Sequence, residues 1–210
     1  MQTGTYRTIW QPLLLLALLS SGCSTQPLPP PQATAPRPSA EEAYRILEQR
    51  TPVVADRYEG LKYRLGANPD CSSAADCSNL VCAVTRTSLA GTPYHFEPYY
   101  MATPDIKRNS VVVPAASTRP GDLVFFQPDR SSKPNKQYHH VGIITKKRGS
   151  VIYFSHASSS QGVVETSTAS TTWRNYWSRY FDSFRRWKPD LFSWDKKTTD
   201  TGPYKTTCSR

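Results

Sequence analysis

The chain has 210 residues, of which 38% are hydrophobic and 20% are charged, and its formal net charge is +10. This length favours one domain with an appendage, and the 11% aromatic content excludes a wholly disordered chain. The sequence has one long apolar run and neither a glycine period nor a heptad pattern, which excludes a multi-span membrane protein, a collagen and a coiled coil. The charge predicts an anionic partner: nucleic acid, anionic lipid or an acidic polymer.

The N-terminus has the layout of a secretory signal over residues 1–22, with Arg7 followed by a short apolar core and small residues. The apolar run is too short to span a bilayer. Small residues directly before Cys23 resemble a bacterial lipoprotein cleavage site, which implies a lipidated Cys23, although Ser20 stands where that site usually has Leu. An ordinary signal with an incidental Cys23 is the alternative. The resemblance at Ser24 favours the outer membrane, facing the periplasm.

A proline-rich tether follows over residues 23–40 and contains six of the 18 prolines. Such a segment is extended at about 3.1 Å per residue, so it could hold a domain roughly 50 Å from a membrane anchor. A disordered tail with no such reach is the alternative.

The first predicted helix begins at Ala40, because Ser39 followed by Glu42 forms the pattern of a capping box. Tyr44, Ile46 and Leu47 supply its apolar face, and Pro52 is expected to break it.

A turn over residues 60–66 and a polar loop over residues 70–76 come next. A second helix is predicted from Asp76 or Cys77 to about Leu89, since apolar residues recur at helical spacing and Gly91 follows its end.

The second half of the domain carries strand signals. The β-branched and aromatic runs are residues 111–113, 123–126, 141–145, 151–154 and 162–166. The runs at 141–145 and 151–154 flank a turn over residues 146–149 and predict a hairpin. Residues 173–187 are dense in aromatics at mixed helical spacing, and residues 195–210 form a polar tail. Helices followed by a strand meander predict an α+β domain with an antiparallel sheet over residues 41–194.

The candidate catalytic residues are Cys77, His140 and His156. A cysteine at a helix N-terminus is expected to have a lowered pKa, which makes it a better nucleophile. A histidine in reach can stabilise the thiolate and protonate a leaving amine, while a third polar group fixes its tautomer. His140 and His156 flank strand signals and could meet if those strands pair. The alternative is that all three are structural core residues.

Several blocks, in order, resemble the NlpC-type cell-wall peptidases, a papain-like family. They cover roughly residues 42–188 and comprise YRLG at 63–66, DCSNLV at 76–81, PGDLVFF at 120–126, HVGI at 140–143, FSHASSS at 154–160 and the aromatic and basic residues at 176–186.

The resemblance implies Cys77 as the nucleophile, His140 as the base and His156 as the residue that orients it. It also implies that Tyr63 shapes the oxyanion or substrate pocket, and that Asp76 and Ser78 contact the peptide. It implies no cofactor and no metal.

His139 competes with His140. We prefer His140, because alternation along a strand points neighbouring side chains to opposite faces.

The sequence departs from the family pattern at Ala67 and Asn79, where the family has glycine, and the stretch at 94–119 is longer than in compact members.

If Cys23 is lipidated and Cys77 stays free, three cysteines remain to form disulfides. A Cys71–Cys82 disulfide is then expected, with Cys208 as the competing partner.

The predicted function is a cysteine endopeptidase that hydrolyses amide bonds in peptidoglycan stem peptides or cross-links. A non-catalytic tethered envelope lipoprotein, serving as a binder or scaffold with an unidentified envelope partner, is the alternative. A zinc site at Cys77 and two histidines is a weaker alternative, because no ligand pair has a close metal-binding spacing. Nucleic acid is not an expected partner, since no nucleic-acid motif is visible.

Overall fold

The computed structural model of the protein describes residues 39–127 and 140–195. Its helices are α1 (Ala40–Asp56), α2 (Cys77–Leu89), α3 (Thr103–Arg108) and α4 (Ser178–Tyr180), with a π-helical turn at Trp173–Trp177. Its strands are β1 (Lys62–Tyr63), β2 (Ala74–Ala75), β3 (Tyr94–Phe96), β4 (Ser110–Val112), β5 (Leu123–Phe126), β6 (His140–Arg148), β7 (Val151–Ser158), β8 (Gly162–Ser167), β9 (Phe181–Trp187) and β10 (Phe192–Trp194). No helix in these ranges is long and apolar enough to cross a membrane.

The central sheet has six strands in the order β4-β9-β5-β6-β7-β8, and every pair is antiparallel. The predicted α+β class with an antiparallel sheet is therefore confirmed. The predicted hairpin forms as β6 and β7, whose register pairs Ile143 with Ser155 and Ile144 with Phe154.

The two faces of this sheet carry separate apolar clusters. The helix face packs α1 and α2 against Val141, Ile143 and other buried residues of the sheet. The opposite face, which we call the aromatic face, gathers Phe126, Phe154 and their neighbours beneath the turn at Trp173–Trp177. This division matters because consecutive residues at the start of β6 belong to different faces.

Helix α1 begins at Ala40 as predicted, but two details differ from expectation. The side chain of Ser39 makes no capping hydrogen bond, and Glu42 instead pairs with Arg45. Pro52 lies inside the helix and does not break it. Burial of Leu47, Val54 and the rest of the apolar face compensates for the hydrogen bond that a proline cannot donate.

Helix α2 spans Cys77–Leu89, and Leu80, Val81 and Val84, which recur at helical spacing, are fully buried.

The strand β9 was not predicted. Its aromatic residues recur at intervals that resemble a helix, yet it inserts between β4 and β5. Arg186 on β9 donates two hydrogen bonds to the carboxylate of Asp122, of 2.7 and 2.8 Å, and so ties β9 to the start of β5.

The segment before α2 is held by short parallel pairing between β1 and β2, in which Tyr63 lies opposite Ala75. Gly162 at the start of β8 lies against this segment. A Cβ at Gly162 would approach the carbonyl oxygen of Leu61 to 2.2 Å, so only glycine allows this contact. Tyr63 is thereby positioned beside the first turn of α2.

Candidate active site

The site is built around Cys77, the first residue of α2. The preceding residue, Asp76, caps the helix: its carboxylate accepts a 2.7 Å hydrogen bond from the backbone N–H of Asn79. Its carboxylate also accepts hydrogen bonds from the Ser78 hydroxyl at 3.0 Å and the Gly66 amide at 2.8 Å. Asp76 thus joins the loop that carries Tyr63 to the helix that carries the cysteine.

The Cys77 thiol is almost fully buried, with 9% of the residue exposed. Its sulfur lies 3.8 Å from the Thr103 hydroxyl on α3, and the backbone amides of Val141 and Ser78 also donate to it. Burial raises the pKa of the thiol, and these hydrogen bonds only partly oppose that effect. The expectation that the helix N-terminus lowers the pKa of Cys77 is therefore wrong, because the effect of desolvation is larger than the effect of the helix N-terminus.

The two predicted histidines do come together. His140 Nε2 lies 3.0 Å from His156 Nδ1, and His156 Nε2 lies 3.0 Å from the Thr166 hydroxyl oxygen. Consecutive hydrogen bonds therefore connect β6, β7 and β8 on the aromatic face. We call these three residues the histidine relay.

The relay sits in an aromatic environment. The Trp177 ring stacks on His140, with centroids 4.9 Å apart and an interplanar angle of 19°, and it meets His156 edge-on at 4.8 Å. Burial lowers the pKa of His140 well below its usual value, and the neighbouring His156 lowers it further. Burial also lowers the pKa of His156 to about 4. Both rings are therefore neutral at physiological pH.

In the part of the chain that the structure describes, the Cys77 thiol lies close to the histidine relay but shares no hydrogen bond with it. Among the described residues, the thiol's contact on β6 is the Val141 amide, the residue directly after His140. The Val141 side chain packs on the helix face with Cys77, whereas His140 contacts Phe126 on the aromatic face. His139 lies outside the described residues, so the preference for His140 stays a prediction.

Tyr63 lies close to Cys77, the candidate nucleophile. Burial raises the pKa of its hydroxyl, and electrostatic interactions with Cys77 and Asp76 raise it further. Tyr63 and His140 both line a cavity of about 550 Å³. The cavity's other walls are the turn from β7 to β8 and aromatic rings, including Tyr176, Trp177 and Tyr180.

The cysteine pairing predicted from the sequence is wrong. Cys71 is disulfide-bonded, but Cys82 is a free thiol buried within α2. Cys82 is fully buried and belongs to the core cluster on the helix face. Cys23 and Cys208 lie outside the described residues, as do the predicted signal, most of the tether and nearly all of the polar tail.

The described residues contain no group of three or more side chains that could hold a metal ion.

The sequence analysis also left three residues of the site without a role. Thr103 and Thr166 were not predicted, since a lone threonine belongs to no motif. Trp177 was recognised only as part of a block that resembles the family.

The model of the NlpC/P60 family matches residues 60–186, so the chain belongs to the NlpC/P60 family. The chain is 27% identical over 172 residues to the probable endopeptidase NlpC of Escherichia coli K12, covering 79% of this chain and 94% of that protein.

A crystal structure of a protein from Staphylococcus aureus, described as similar to a lipoprotein of the NLP/P60 family, also matches. The identity is 23% and the TM-score is 0.46, over 67% of this chain and 41% of that one.

Proposed function

We propose that this protein is a cysteine endopeptidase of the bacterial envelope that hydrolyses amide bonds in peptidoglycan stem peptides or cross-links. The observation that carries the proposal is the hydrogen-bonded pair of His140 and His156 next to a cysteine at a helix N-terminus. Membership of the NlpC/P60 family and the name of the Escherichia coli relative support the same activity.

The directions of the pKa shifts favour a neutral resting pair. A raised pKa keeps Cys77 as a thiol, and a lowered pKa keeps His140 as a neutral imidazole. Proton transfer from the sulfur to His140 then accompanies attack on the carbonyl carbon and does not precede it. A hydrogen bond between a nucleophile and its base is often long or poorly aligned before substrate binds, and it shortens in the complex.

The chemistry proceeds in two halves. In the first half, a sulfur–carbon bond forms, the carbon–nitrogen bond breaks, and His140 gives its proton to the leaving amine. In the second half, His140 removes a proton from water, which attacks the thioester carbon. The carbon–sulfur bond then breaks, His140 gives the proton to the sulfur, and the acid and the free thiol are released. His156 orients the ring of His140 in both halves.

The remaining predicted residues take supporting roles. Tyr63 borders both the nucleophile and the cavity, so its hydroxyl can contact the substrate carbonyl or the developing oxyanion. The side chains of Asp76 and Ser78 are buried and bonded to each other, which favours a positioning role for them. Their direct contact with the peptide stays a prediction.

The proposed location is the periplasmic side of the outer membrane, with a lipid anchor at Cys23 and the tether at 23–40. The signal contains one charged residue, Arg7, so a mature chain would keep +9 of the +10. That charge suits the carboxylates of peptidoglycan peptides.

The test is the release of new amino groups from purified peptidoglycan sacculi. Wild type is expected to release them, Cys77→Ala to release none, and Cys82→Ala to match wild type. Cys82 is a suitable control because it is a second buried thiol on the same helix. Equal release by Cys77→Ala would defeat the proposal.

A second candidate is a non-catalytic envelope binder that keeps the peptidase fold. The observation that favours it is the buried Cys77 thiol, which bonds to Thr103 and to backbone amides and not to His140. A binder would sediment with sacculi and leave them intact, with wild type and Cys77→Ala behaving alike.

A further inference from the structure

The histidine relay extends beyond His156, the residue predicted to orient His140. Thr166 on β8 lies within hydrogen-bond distance of His156 Nε2, at 3.0 Å. The strand register explains the contact, because His156 lies opposite Val164 and Phe154 lies opposite Thr166, so the Thr166 side chain is a diagonal neighbour of His156 on the same face. Both residues are buried, with His156 fully excluded from solvent.

The protonation states follow from these contacts. His140 Nε2 faces His156, so only Nδ1 of His140 is left to accept the thiol proton. Once His140 carries that proton, both of its nitrogens are N–H donors, and Nε2–H must donate to His156 Nδ1. His156 is then protonated on Nε2, and this buried N–H needs an acceptor.

Thr166 is placed to be that acceptor. A second cavity, of about 380 Å³, is lined by Thr166, Glu165 and Ser167. The hydroxyl hydrogen of Thr166 can turn towards this cavity, which leaves its oxygen free to accept from His156.

We propose that Thr166 is a positioning residue of the peptidase site: its hydroxyl oxygen accepts from His156 Nε2–H and so holds His156 Nδ1 as the acceptor that protonated His140 requires. This inference rests on the proposed function, because it concerns how His140 carries the proton. Without the hydroxyl, the protonated state of His140 leaves one buried N–H unpaired.

The matched variants are Thr166→Val, which keeps the shape and removes the hydroxyl, and Thr166→Ser, which keeps the hydroxyl. Thr166→Ala is the second variant if valine impairs folding. Thr145→Val is the control, since Thr145 is also a buried threonine of this sheet but donates to Glu165 and not to a histidine.

The direct readout is the nitrogen NMR spectrum of the full chain labelled with ¹⁵N-histidine. Wild type and Thr166→Ser are expected to hold His156 in the Nε2–H form, and Thr166→Val or Thr166→Ala to lose that preference. A wild-type His156 protonated on Nδ1, or an unchanged His156 signal in the valine and alanine variants, overturns the proposal.

The kinetic readout is cleavage of muropeptides. Loss of one buried hydrogen bond should lower kcat about tenfold in Thr166→Val with KM unchanged, and serine should restore kcat. Equal kcat in wild type and Thr166→Val overturns the proposal. If wild type cleaves nothing while the NMR signals shift as expected, the peptidase function fails and the positioning of His156 stands.

Discussion

The indole of Trp177 lies nearly parallel to the imidazole of His140, with ring centroids 4.9 Å apart and an interplanar angle of 19°. The same indole meets His156 edge-on. One side chain therefore covers both rings of the proposed catalytic pair and fixes their orientation. It belongs to a π-helical turn, a rare conformation that often marks functional sites.

Replacing Trp177 by Leu should change the pH dependence of cleavage. Burial lowers the pKa of His140, so exposing the ring raises that pKa towards its usual value. A base with a higher pKa becomes protonated at a higher pH. The acidic limb of the kcat/KM profile should therefore shift to higher pH by about one unit.

Trp177→Phe should move that limb less, because an aromatic ring still covers His140. Trp173→Leu is the control, since Trp173 packs on Phe126 and Phe154 in the same aromatic cluster. An unchanged limb in Trp177→Leu would contradict the shielding role.

Alkylation of Cys77 should report a neutral resting thiol. Because burial raises its pKa, the iodoacetamide rate at Cys77 should climb about tenfold per pH unit through neutrality, with no plateau below the usual thiol pKa of about 8.5. Peptide mapping assigns the modified residue, and the protein unfolded in urea gives the reference rate. A plateau between pH 6 and 7 would instead indicate a preformed thiolate–imidazolium pair.

Removing the carboxylate of Asp76 should destabilise the fold as well as the site. Asp76→Ala removes the cap of α2 and the link to Gly66, and it should lower the free energy of unfolding by about 2 kcal/mol in urea titrations. Asp76→Asn keeps an acceptor oxygen and should lose less. A loss below about 0.5 kcal/mol in Asp76→Ala would mean that the cap is not a structural element.

The sequence predicted those parts of the molecule whose causes are local. Helix α2 follows from its apolar spacing and from Gly91 at its end, and the hairpin of β6 and β7 follows from two β-branched runs around a turn. The resemblance of the ordered blocks to the NlpC-type peptidases then predicted Cys77, His140 and His156 as the catalytic residues. The structure brings the two histidines within hydrogen-bond distance.

The parts that were missed depend on distant contacts. Pro52 stays within α1 because the helix is buried against the core, and β9 is a strand because β4 and β5 provide its partners. The pKa of Cys77 is raised by burial that no local pattern encodes. Thr103 and Thr166 reach the site from other elements, so their roles emerge only when the chain is folded.

The central claim is that Cys77 cleaves a peptide bond of peptidoglycan, and mass spectrometry of digested muropeptides tests it most directly. Wild type is expected to yield fragment pairs whose masses sum to the substrate plus one water, and the fragments identify the bond. Cys77→Ala should leave every muropeptide intact, and Cys82→Ala should reproduce the wild-type products. Intact muropeptides with folded wild type, or identical fragments with Cys77→Ala, would contradict the account.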